Sequence, residues 1–237
     1  MKNVSKLITV VIPCKNEQDY IYKTLESISK QSGCVGIRII VADAGSTDRT
    51  LEEIERARII LGIEVDIVQG GPVAIARNRG AFLTKTPYVV FIDADVVLLD
   101  EGTISKTVSL LESGSARLVT CRTVNTSNDI RAKAAYFTFN VFRRFFMKEP
   151  FAQGTYIATS IMDFDAFGGF DESVNQSEDF LLTRKYPMQQ FVVLNDRVTQ
   201  DDRRFKKMGY IGFIKLVITN YIQRNNHEHF TRDVGYW

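Results

Sequence analysis

The sequence has little of four things: cysteine, histidine, net charge and long apolar runs. Its three cysteines, Cys14, Cys34 and Cys121, are widely spaced and lack the close pairing of a zinc site. We therefore expect reduced thiols, as in a cytoplasmic protein. The start of the chain lacks the long apolar stretch and the small-residue cleavage site of a signal peptide, so nothing in it predicts export.

Charge and hydrophobicity exclude two further classes. Thirty Lys and Arg against 28 Asp and Glu leave a net charge of +2, which is too balanced for nucleic acid to be the main partner. No apolar run reaches the roughly 20 residues that a membrane-spanning helix needs. The best late segment, residues 210–222, is short and contains Lys215. We expect a cytoplasmic protein whose contact with the inner face of the membrane is at most peripheral.

The first hundred residues alternate between strand and helix patterns. β-branched and apolar runs predict four strands, at residues 7–12, 37–41, 63–68 and 88–92. Helical spacing of apolar residues predicts three helices between them: one with Tyr20, Ile21, Leu25 and Ile28, one with Leu51, Ile54, Ala57 and Leu61 capped by Ser46 or Thr47, and one over 73–83. Such alternation predicts an α/β fold with a doubly wound, mostly parallel sheet flanked by helices.

The pattern is weaker in the second half of the chain. A strand pattern at 118–121 is followed by a helical pattern over 130–148 and an irregular stretch around Gly154 and residues 168–170. No internal repeat or Pro/Ser-rich linker separates two units. We therefore predict a single domain over residues 1–237, with a mixed region in its C-terminal half.

Parallel sheets bind ligands beyond the carboxyl ends of their strands. The residues at those ends are 13–17, 43–48, 70–71 and 93–95. The last group contains an Asp-x-Asp pair, a pattern that sixteen aspartates produce about once by chance in a chain of this length. A second pair, Asp163 and Asp165, has no apolar strand before it and is interpreted as a turn or helix start.

Asp93 and Asp95 differ because they follow a buried strand. Two carboxylates together with substrate phosphates are a common site for Mg²⁺ or Mn²⁺. A metal there could offset the negative charge that develops on a departing nucleoside diphosphate. The alternative is that both aspartates only cap the turn that follows the strand.

Six segments resemble, in order, the motifs of family 2 glycosyltransferases, a large inverting group with the GT-A fold. They are residues 8–17 (ITVVIPCKNE), 41–48 (VADAGSTD), 76–80 (ARNRG), 91–95 (FIDAD), 168–172 (GGFDE) and 177–179 (SED). The resemblance covers about residues 7 to 205, and the ordered set is far more specific than any one segment. Ala42 and Ala44 depart from the family pattern around the aspartate that contacts the base, here Asp43.

The resemblance implies a site for a nucleotide-diphosphate sugar, with UDP or GDP as its nucleotide. In that site Asp95 would ligate the metal directly, and Asp93 would lie nearer the ribose or bind through water, with Ala94 between them. The nucleoside would be surrounded by Pro13, Asn16, Glu17, Asp43 and Ser46. The ribose or diphosphate would lie near Arg77 and Asn78, and a loop with Arg203 and Arg204 would close over the diphosphate.

Simpler interpretations of the arginines stay open. Arg77 alone is also typical of a surface arginine on a helix. Arg203 and Arg204 could merely pair with the preceding Asp201 and Asp202.

The family places the catalytic base at Asp179, with Glu178 as second choice. A base is needed because the acceptor hydroxyl loses its proton as it attacks the anomeric carbon. Repulsion between two adjacent carboxylates would raise the pKa of one of them. A helix start capped by Ser177, with both acids facing the helix dipole, is the structural alternative. His227 and His229 match no family position and are assigned to a polar tail rather than to the metal.

Residues 131–148 interleave aromatic residues with five basic ones. Such a helix fits an anionic membrane surface, which suits a lipid-linked acceptor, or else buries its aromatics and exposes its cations. Residues 210–222 allow the same two interpretations. We assign residues 1–100 to the nucleotide-sugar half, 101–205 to the acceptor and catalytic half, and 206–237 to a C-terminal helical tail.

The predicted function is metal-dependent, inverting transfer of a sugar from a nucleotide-diphosphate sugar to a hydroxyl of a glycan, glycolipid or lipid-linked acceptor. The rival enzyme is a sugar-nucleotide pyrophosphorylase, which expects a glycine-rich phosphate loop after the first strand. Residues 13–17 contain no glycine. A non-catalytic nucleotide-binding relative is the third hypothesis, and the presence of Asp95 and Asp179 speaks against it.

Overall fold

The structure is a computed structural model that describes residues 3–125, 127, 129–145, 147–201 and 203–232. Within them, seven strands form one sheet in the order β3-β2-β1-β4-β6-β5-β7. The strands are β1 (Ile8–Cys14), β2 (Arg38–Asp43), β3 (Val65–Gln69), β4 (Tyr88–Phe91), β5 (Leu118–Val124), β6 (Ile157–Ser160) and β7 (Phe191–Thr199). The α-helices are α1 (Ile21–Ser29), α2 (Thr50–Leu61), α3 (Val73–Phe82), α4 (Thr103–Glu112), α5 (Ile130–Phe145), α6 (Ile161–Ala166), α7 (Glu178–Thr183), α8 (Arg203–Ile222) and α9 (His227–Thr231).

The N-terminal half of the sheet is parallel, as predicted. Strand β1 pairs with β2 on one side and with β4 on the other, and β2 pairs with β3. Alternating residues of β1 enter different cores: Val10 and Ile12 belong to the hydrophobic cluster on one face and Val11 to the cluster on the other. Both faces of the strand are buried, so it is apolar apart from Thr9, as strands buried on both faces are.

The C-terminal half of the sheet is mixed. Strand β6 runs antiparallel to both β4 and β5, whereas β5 and β7 are parallel. The pattern had predicted only irregular chain around residue 154, and neither β6 nor β7 was identified. Strand β6 is four residues long, and β7 contains the polar run Asn195–Arg197, so neither shows a clear alternation.

The predicted start of the second helix is wrong. Helix α2 begins at Thr50 rather than after Ser46 or Thr47, because Ser46 Oγ donates to Asp43 Oδ1 at 2.5 Å instead of capping the helix. Leu51, expected in the core stripe, is exposed.

Asp163 and Asp165 lie within α6, which Ser160 caps by accepting from the amide of Asp163. Asp163 is buried and paired with Arg117, so its role is structural.

The late helices differ from the prediction at their ends. Helix α5 stops at Phe145, three residues before the expected end. Helix α8 begins at Arg203 and is broken at Gly209, where φ is 72° and ψ is 162°. Over the described residues, no helix has the length and apolar character needed to cross a bilayer. The three cysteines are free and buried.

Candidate active site

The carboxyl ends of β1 to β4 meet at one edge of the sheet. Cys14 at the end of β1 pairs with Asp43 at the end of β2, and Asp43 pairs in turn with Gln69 at the end of β3. Strand β4 ends at Phe91, opposite Val11. The loops predicted to bind ligand therefore leave the sheet side by side.

Side-chain hydrogen bonds join the loops after β1 and β2. The Asn16 amide donates to Ser46 Oγ at 2.9 Å, and the Thr47 amide donates to Asn16 Oδ1 at 2.8 Å. The Glu17 amide donates to Thr50 Oγ1 at 2.7 Å. Asn16 has a φ of 54°, a left-handed conformation that asparagine tolerates better than most residues. These contacts fix the conformation of the loop that contains Glu17. We call Asn16, Glu17 and Ser46 the rim of the site.

Asp43 borders an open pocket of about 430 Å³ between β2 and β3. Its Oδ2 accepts the amides of Gly45 and Ser46, both at 3.0 Å. The pocket continues along Val68 and Gln69 to Gly70 and Gly71. A Cβ on Gly70 would lie 2.6 Å from the Ala42 carbonyl oxygen, so only glycine lets this loop approach β2. The volume is in the range of small-molecule sites.

Glu17, Asp95 and Arg203 form an ionic group at the same edge of the sheet. Arg203 Nη2 lies 2.5 Å from Asp95 Oδ2, and Arg203 Nη1 lies 3.2 Å from Glu17 Oε2. The guanidinium stacks 4.3 Å from the Tyr20 ring centroid. Burial, together with the charges of Asp95 and Asp93, raises the pKa of Glu17 to about 7, although Arg203 opposes the shift. Burial and the charge of Asp93 also raise the pKa of Asp95.

Arg77 joins Asp93 to Glu178. Its guanidinium is only 2% exposed, with Nη2 2.6 Å from Asp93 Oδ1 and Nη1 2.6 Å from Glu178 Oε1. It also lies 5.2 Å from the Phe170 ring centroid. Because two carboxylates surround it, the pKa of Arg77 is raised despite burial. The interpretation of Arg77 as a surface arginine is wrong.

Asp179 lies at the start of α7 beside this ion pair. Its Oδ2 accepts the Gly154 amide at 3.0 Å and its Oδ1 accepts the Phe180 amide at 2.7 Å. Burial, followed by the charge of Glu178, raises the pKa of Asp179 to about 7, against the opposing effect of Arg77. A carboxylate with such a pKa can take up a proton near neutral pH.

Ser177 does not cap α7 as the structural alternative supposed. Its φ is 57° and its side chain makes no capping bond. Its Oγ instead accepts from Asn220 Nδ2 at 2.8 Å, which ties the start of α7 to α8.

Gly154 is a site residue that the sequence argument missed. A Cβ there would lie 2.1 Å from Arg77 Nη2 and 2.8 Å from Asp93 Oδ2. The missing side chain leaves room for the ion pair, and the backbone amide holds Asp179. The sequence offers only a glycine in an irregular stretch as a signal.

Asn78 is turned away from the ionic groups. Its Nδ2 donates to the Phe170 carbonyl at 2.9 Å and to Glu172 at 2.8 Å, while its Oδ1 accepts the Phe170 amide. It fixes the turn at residues 168–170, and its expected contact with ribose or diphosphate stays a prediction.

The Arg203 side chain does not pair with Asp201, contrary to the simpler interpretation. Asp201 Oδ1 accepts the Arg203 backbone amide at 2.7 Å, and Oδ2 accepts the Tyr20 hydroxyl at 3.1 Å. The Arg204 side chain and Asp202 lie outside the described residues. His227 contacts Asp171 and His229 contacts Asn220, away from the aspartate pair.

The donor groups fit a hard divalent cation. In the described part of the chain, no three His, Cys, Asp or Glu side chains converge on one point. Asp93 and Asp95 supply two carboxylates, which suffices where phosphate oxygens complete the shell. Burial and neighbouring carboxylates disfavour the ionised forms of Asp95 and Glu17. In this structure the Arg203 guanidinium is the cation that stabilises both carboxylates.

The sequence matches the family model described as Glycosyl transferase family 2 over residues 9–170. Validoxylamine A glucosyltransferase of Streptomyces hygroscopicus subsp. jinggangensis is 34% identical over 96 residues, 38% of this chain and 22% of that protein. Amylovoran biosynthesis glycosyltransferase AmsB of Erwinia amylovora is 32% identical over 139 residues, 54% and 44% of the two chains. The chain thus matches less than half the length of either relative.

Two solved structures share the fold. Mannosyltransferase PcManGT from Pyrobaculum calidifontis, in complex with GDP-Man and Mn²⁺, superposes with a TM-score of 0.64 at 21% identity, covering 81% of this chain and 56% of that one. S. aureus TarS 1-349 in complex with UDP-GlcNAc gives 0.60 at 20% identity, covering 82% and 58%. At this identity the likeness concerns the fold, and it confirms the predicted GT-A architecture.

Proposed function

The chain belongs to glycosyl transferase family 2. From that premise we propose that it is a glycosyltransferase whose reaction depends on a divalent metal and inverts the anomeric carbon. The donor would be a UDP- or GDP-sugar, and the acceptor a hydroxyl of a glycan, glycolipid or lipid-linked sugar. One observation supports this most: buried Arg77 bridges Asp93, beside the proposed metal ligand, and Glu178, beside the proposed base. Arg77 thereby keeps the segment with the proposed metal ligand close to the segment with the proposed base.

The nucleoside would enter the pocket beside Asp43. Its walls would include Pro13 and the rim built by Asn16, Glu17 and Ser46, with the diphosphate towards residues 93–95. Structural neighbours that hold UDP, UDP-GlcNAc and GDP-Man support a nucleotide sugar as donor.

Asp95 would be the direct ligand of Mn²⁺ or Mg²⁺, with Asp93 second or bound through water. The Mn²⁺ in PcManGT supports a divalent metal. When bound, the cation would offset the negative charge that develops on the nucleoside diphosphate. Arg203, which contacts Asp95 in this structure, would bind the diphosphate oxygens together with Arg204.

Asp179 would act as the base. It would take the proton from the acceptor hydroxyl while that oxygen bonds to the anomeric carbon and the bond from that carbon to the diphosphate oxygen breaks. Glu178 suits this step less well because Arg77 holds its Oε1. Glu178 would act on the base instead: burial and, after it, the charge of Glu178 raise the pKa of Asp179 to about 7, near the pH at which a general base is effective.

The structure disfavours the pyrophosphorylase alternative. A phosphate-cradling loop needs free backbone amides. After β1, the amides of Asn16, Glu17 and Gln18 already donate to Ser46, Thr50 and Asp48.

Two variants test the proposal. Asp95→Asn should lose the metal-dependent thermal stabilisation by nucleoside diphosphates, because one metal ligand is gone. Asp179→Asn should keep that stabilisation but lose transfer by about 10² to 10⁴-fold, the usual contribution of a general base. Asp165→Asn, in the other Asp-x-Asp pair and exposed, is the matched control and should change neither. Equal nucleotide affinity with and without metal in calorimetry would refute the metal assignment.

A further inference from the structure

Two segments of the chain contain basic residues and no acidic ones. Residues 130–148 hold five Lys or Arg and residues 203–227 hold six, with no Asp or Glu in either. The rest of the chain has 19 basic against 28 acidic residues. The small net charge therefore conceals two oppositely charged regions, and the positive one attracts an anionic partner.

Both segments form helices that pack together. Ala132 and Tyr136 of α5 contact Tyr210 and Val217 of α8. The Tyr210 hydroxyl also donates to Asp129 at 2.7 Å, just before α5. We call α5 and α8 the basic helix pair. The faces of α5 and α8 that are turned away from this contact are exposed, and they include Lys133 and Lys215. We call them the outer faces.

The outer faces of the basic helix pair are apolar. Ile130, Ala134 and Phe137 lie at i, i+4 and i+7 of α5, and Ile130 is 79% and Phe137 59% exposed. On α8, Ile218 and Ile222 are 51% and 66% exposed. Helix α5 is thus apolar on its inner face and again on part of its outer face. A surface helix normally carries polar residues on the face that is exposed to water.

Exposed lysines accompany these apolar residues. Lys133 lies on α5, Lys148 shortly after it, and Lys215 on α8 three residues before Ile218. Apolar side chains combined with lysines are typical of helices that lie in a membrane interface. We propose that the outer face of the basic helix pair binds the surface of an anionic lipid bilayer.

A bilayer fits this face better than the other anionic or apolar partners. A second copy in a two-fold dimer would place the same basic surface against itself, which like charges oppose. Nucleic acid would satisfy the lysines but would leave Ile130, Ile218 and Ile222 in water. A bilayer offers negative headgroups to the lysines and hydrocarbon to the isoleucines.

The surface is connected to the proposed site. Helix α8 begins at Arg203, whose side chain contacts Asp95 and Glu17. A membrane-bound chain would hold that site close to lipid-linked acceptors. This last point rests on the proposed function, whereas membrane binding itself does not.

The test is co-sedimentation of the full chain with vesicles of phosphatidylcholine alone or mixed with phosphatidylglycerol. We expect binding to the anionic vesicles only, decreasing with added salt. The triple variant Lys133→Gln, Lys148→Gln, Lys215→Gln should lower the partition coefficient about 100-fold, because each cation near such a surface contributes about fivefold. Ile130→Ser with Phe137→Ser should lower it by about tenfold or more.

Matched controls separate this surface from general charge and hydrophobicity. Lys6→Gln, Lys23→Gln, Lys85→Gln removes three exposed lysines elsewhere, and Ile59→Ser with Ile60→Ser removes two exposed isoleucines from α2, whose first turns contain Glu52, Glu53 and Glu55. Neither should change binding. The proposal is overturned if the controls lose as much as the test variants, if neutral vesicles bind equally, or if the face instead mediates dimerisation or RNA binding. Nucleotide-dependent thermal stabilisation should be unchanged in every variant, so a failure here is distinct from a failure of the proposed function.

Discussion

Two buried arginines in different regions of the molecule have opposite electrostatic environments. Arg77, at the proposed active site, is 2% exposed and paired with Asp93 and Glu178, and its pKa is raised. Arg143, on α5, is 1% exposed, and among the described residues it donates to the Cys121 carbonyl and Asn140 Oδ1. Burial lowers its pKa to about 10.

The difference shows what each region requires. Within the described residues, Arg143 Nε and Nη1 have no hydrogen-bond partner, so little compensates for their desolvation. The Phe139 ring centroid lies 5.5 Å from its guanidinium carbon. At Arg77 the carboxylates would themselves be unpaired without the cation. Arg77 organises a site, whereas Arg143 mainly occupies space in α5.

Removing Arg77 should have the largest effect. Arg77→Met leaves the carboxylates of Asp93 and Glu178 without their cation, and losing one partner of a buried ion pair costs about 3–5 kcal/mol. Denaturant unfolding would measure the free energy, and transfer should fall as well. Arg58→Met, on the exposed surface of α2, is the control and should change stability by less than about 0.5 kcal/mol. A small change for Arg77→Met would mean that the bridge is not maintained in solution.

Gly154→Ala tests the space that the bridge needs. The added methyl would displace the Arg77 guanidinium or the Asp93 carboxylate, at a cost of about 1–3 kcal/mol. Because the bridge links both halves of the site, transfer should fall more than stability does. Gly102→Ala is a suitable control, since its nearest neighbour is the flexible end of Lys106 at 3.4 Å. Wild-type activity in Gly154→Ala would contradict the role of the bridge.

The raised pKa of Asp179 predicts how the free energy of unfolding changes with pH. Its pKa is raised from 3.8 to about 7, so between these values the folded state binds more protons than the unfolded state. The free energy of unfolding should therefore fall as pH rises through this window, by at most about 1.4 kcal/mol per pH unit. Asp179→Asn should remove this part of the slope while leaving that of Glu17, which has the same sign.

Activity should change with pH in the opposite direction. The base works when deprotonated, so kcat/KM should rise as pH increases through about 7. A flat profile from pH 5 to 8 would exclude Asp179 as the group that limits the rate.

Replacing Arg143 should have the smallest effect. Arg143→Met removes an uncompensated buried cation and loses two hydrogen bonds, and these contributions nearly cancel. We expect a change in unfolding free energy within about 1 kcal/mol, measured beside Arg77→Met in the same denaturant series. A loss as large as that of Arg77→Met would show that Arg143 has an anionic partner in solution.

Local patterns in the sequence were enough to predict the parallel half of the sheet and the position of Asp93 and Asp95 at its edge. Strands β1, β2 and β4 are mostly apolar runs because both of their faces are buried, whereas the edge strand β3 contains Asp66 and is largely exposed. Strands β6 and β7 were missed since one is short and the other polar in its middle. The start of α2 was wrong because Ser46 bonds to Asp43, a choice that local propensity cannot predict.

The sequence by itself determined the family, the order of the motifs and the residues that gather at the carboxyl ends of the parallel strands, since these depend on local patterns. Only the tertiary structure decided which side chains pair there. Arg77 and Glu178 are 101 residues apart, and Arg203 and Asp95 are 108 apart. Their contact depends on strand order and on the space beside Gly154. Those features arise from packing of the whole chain, so no local pattern specifies them.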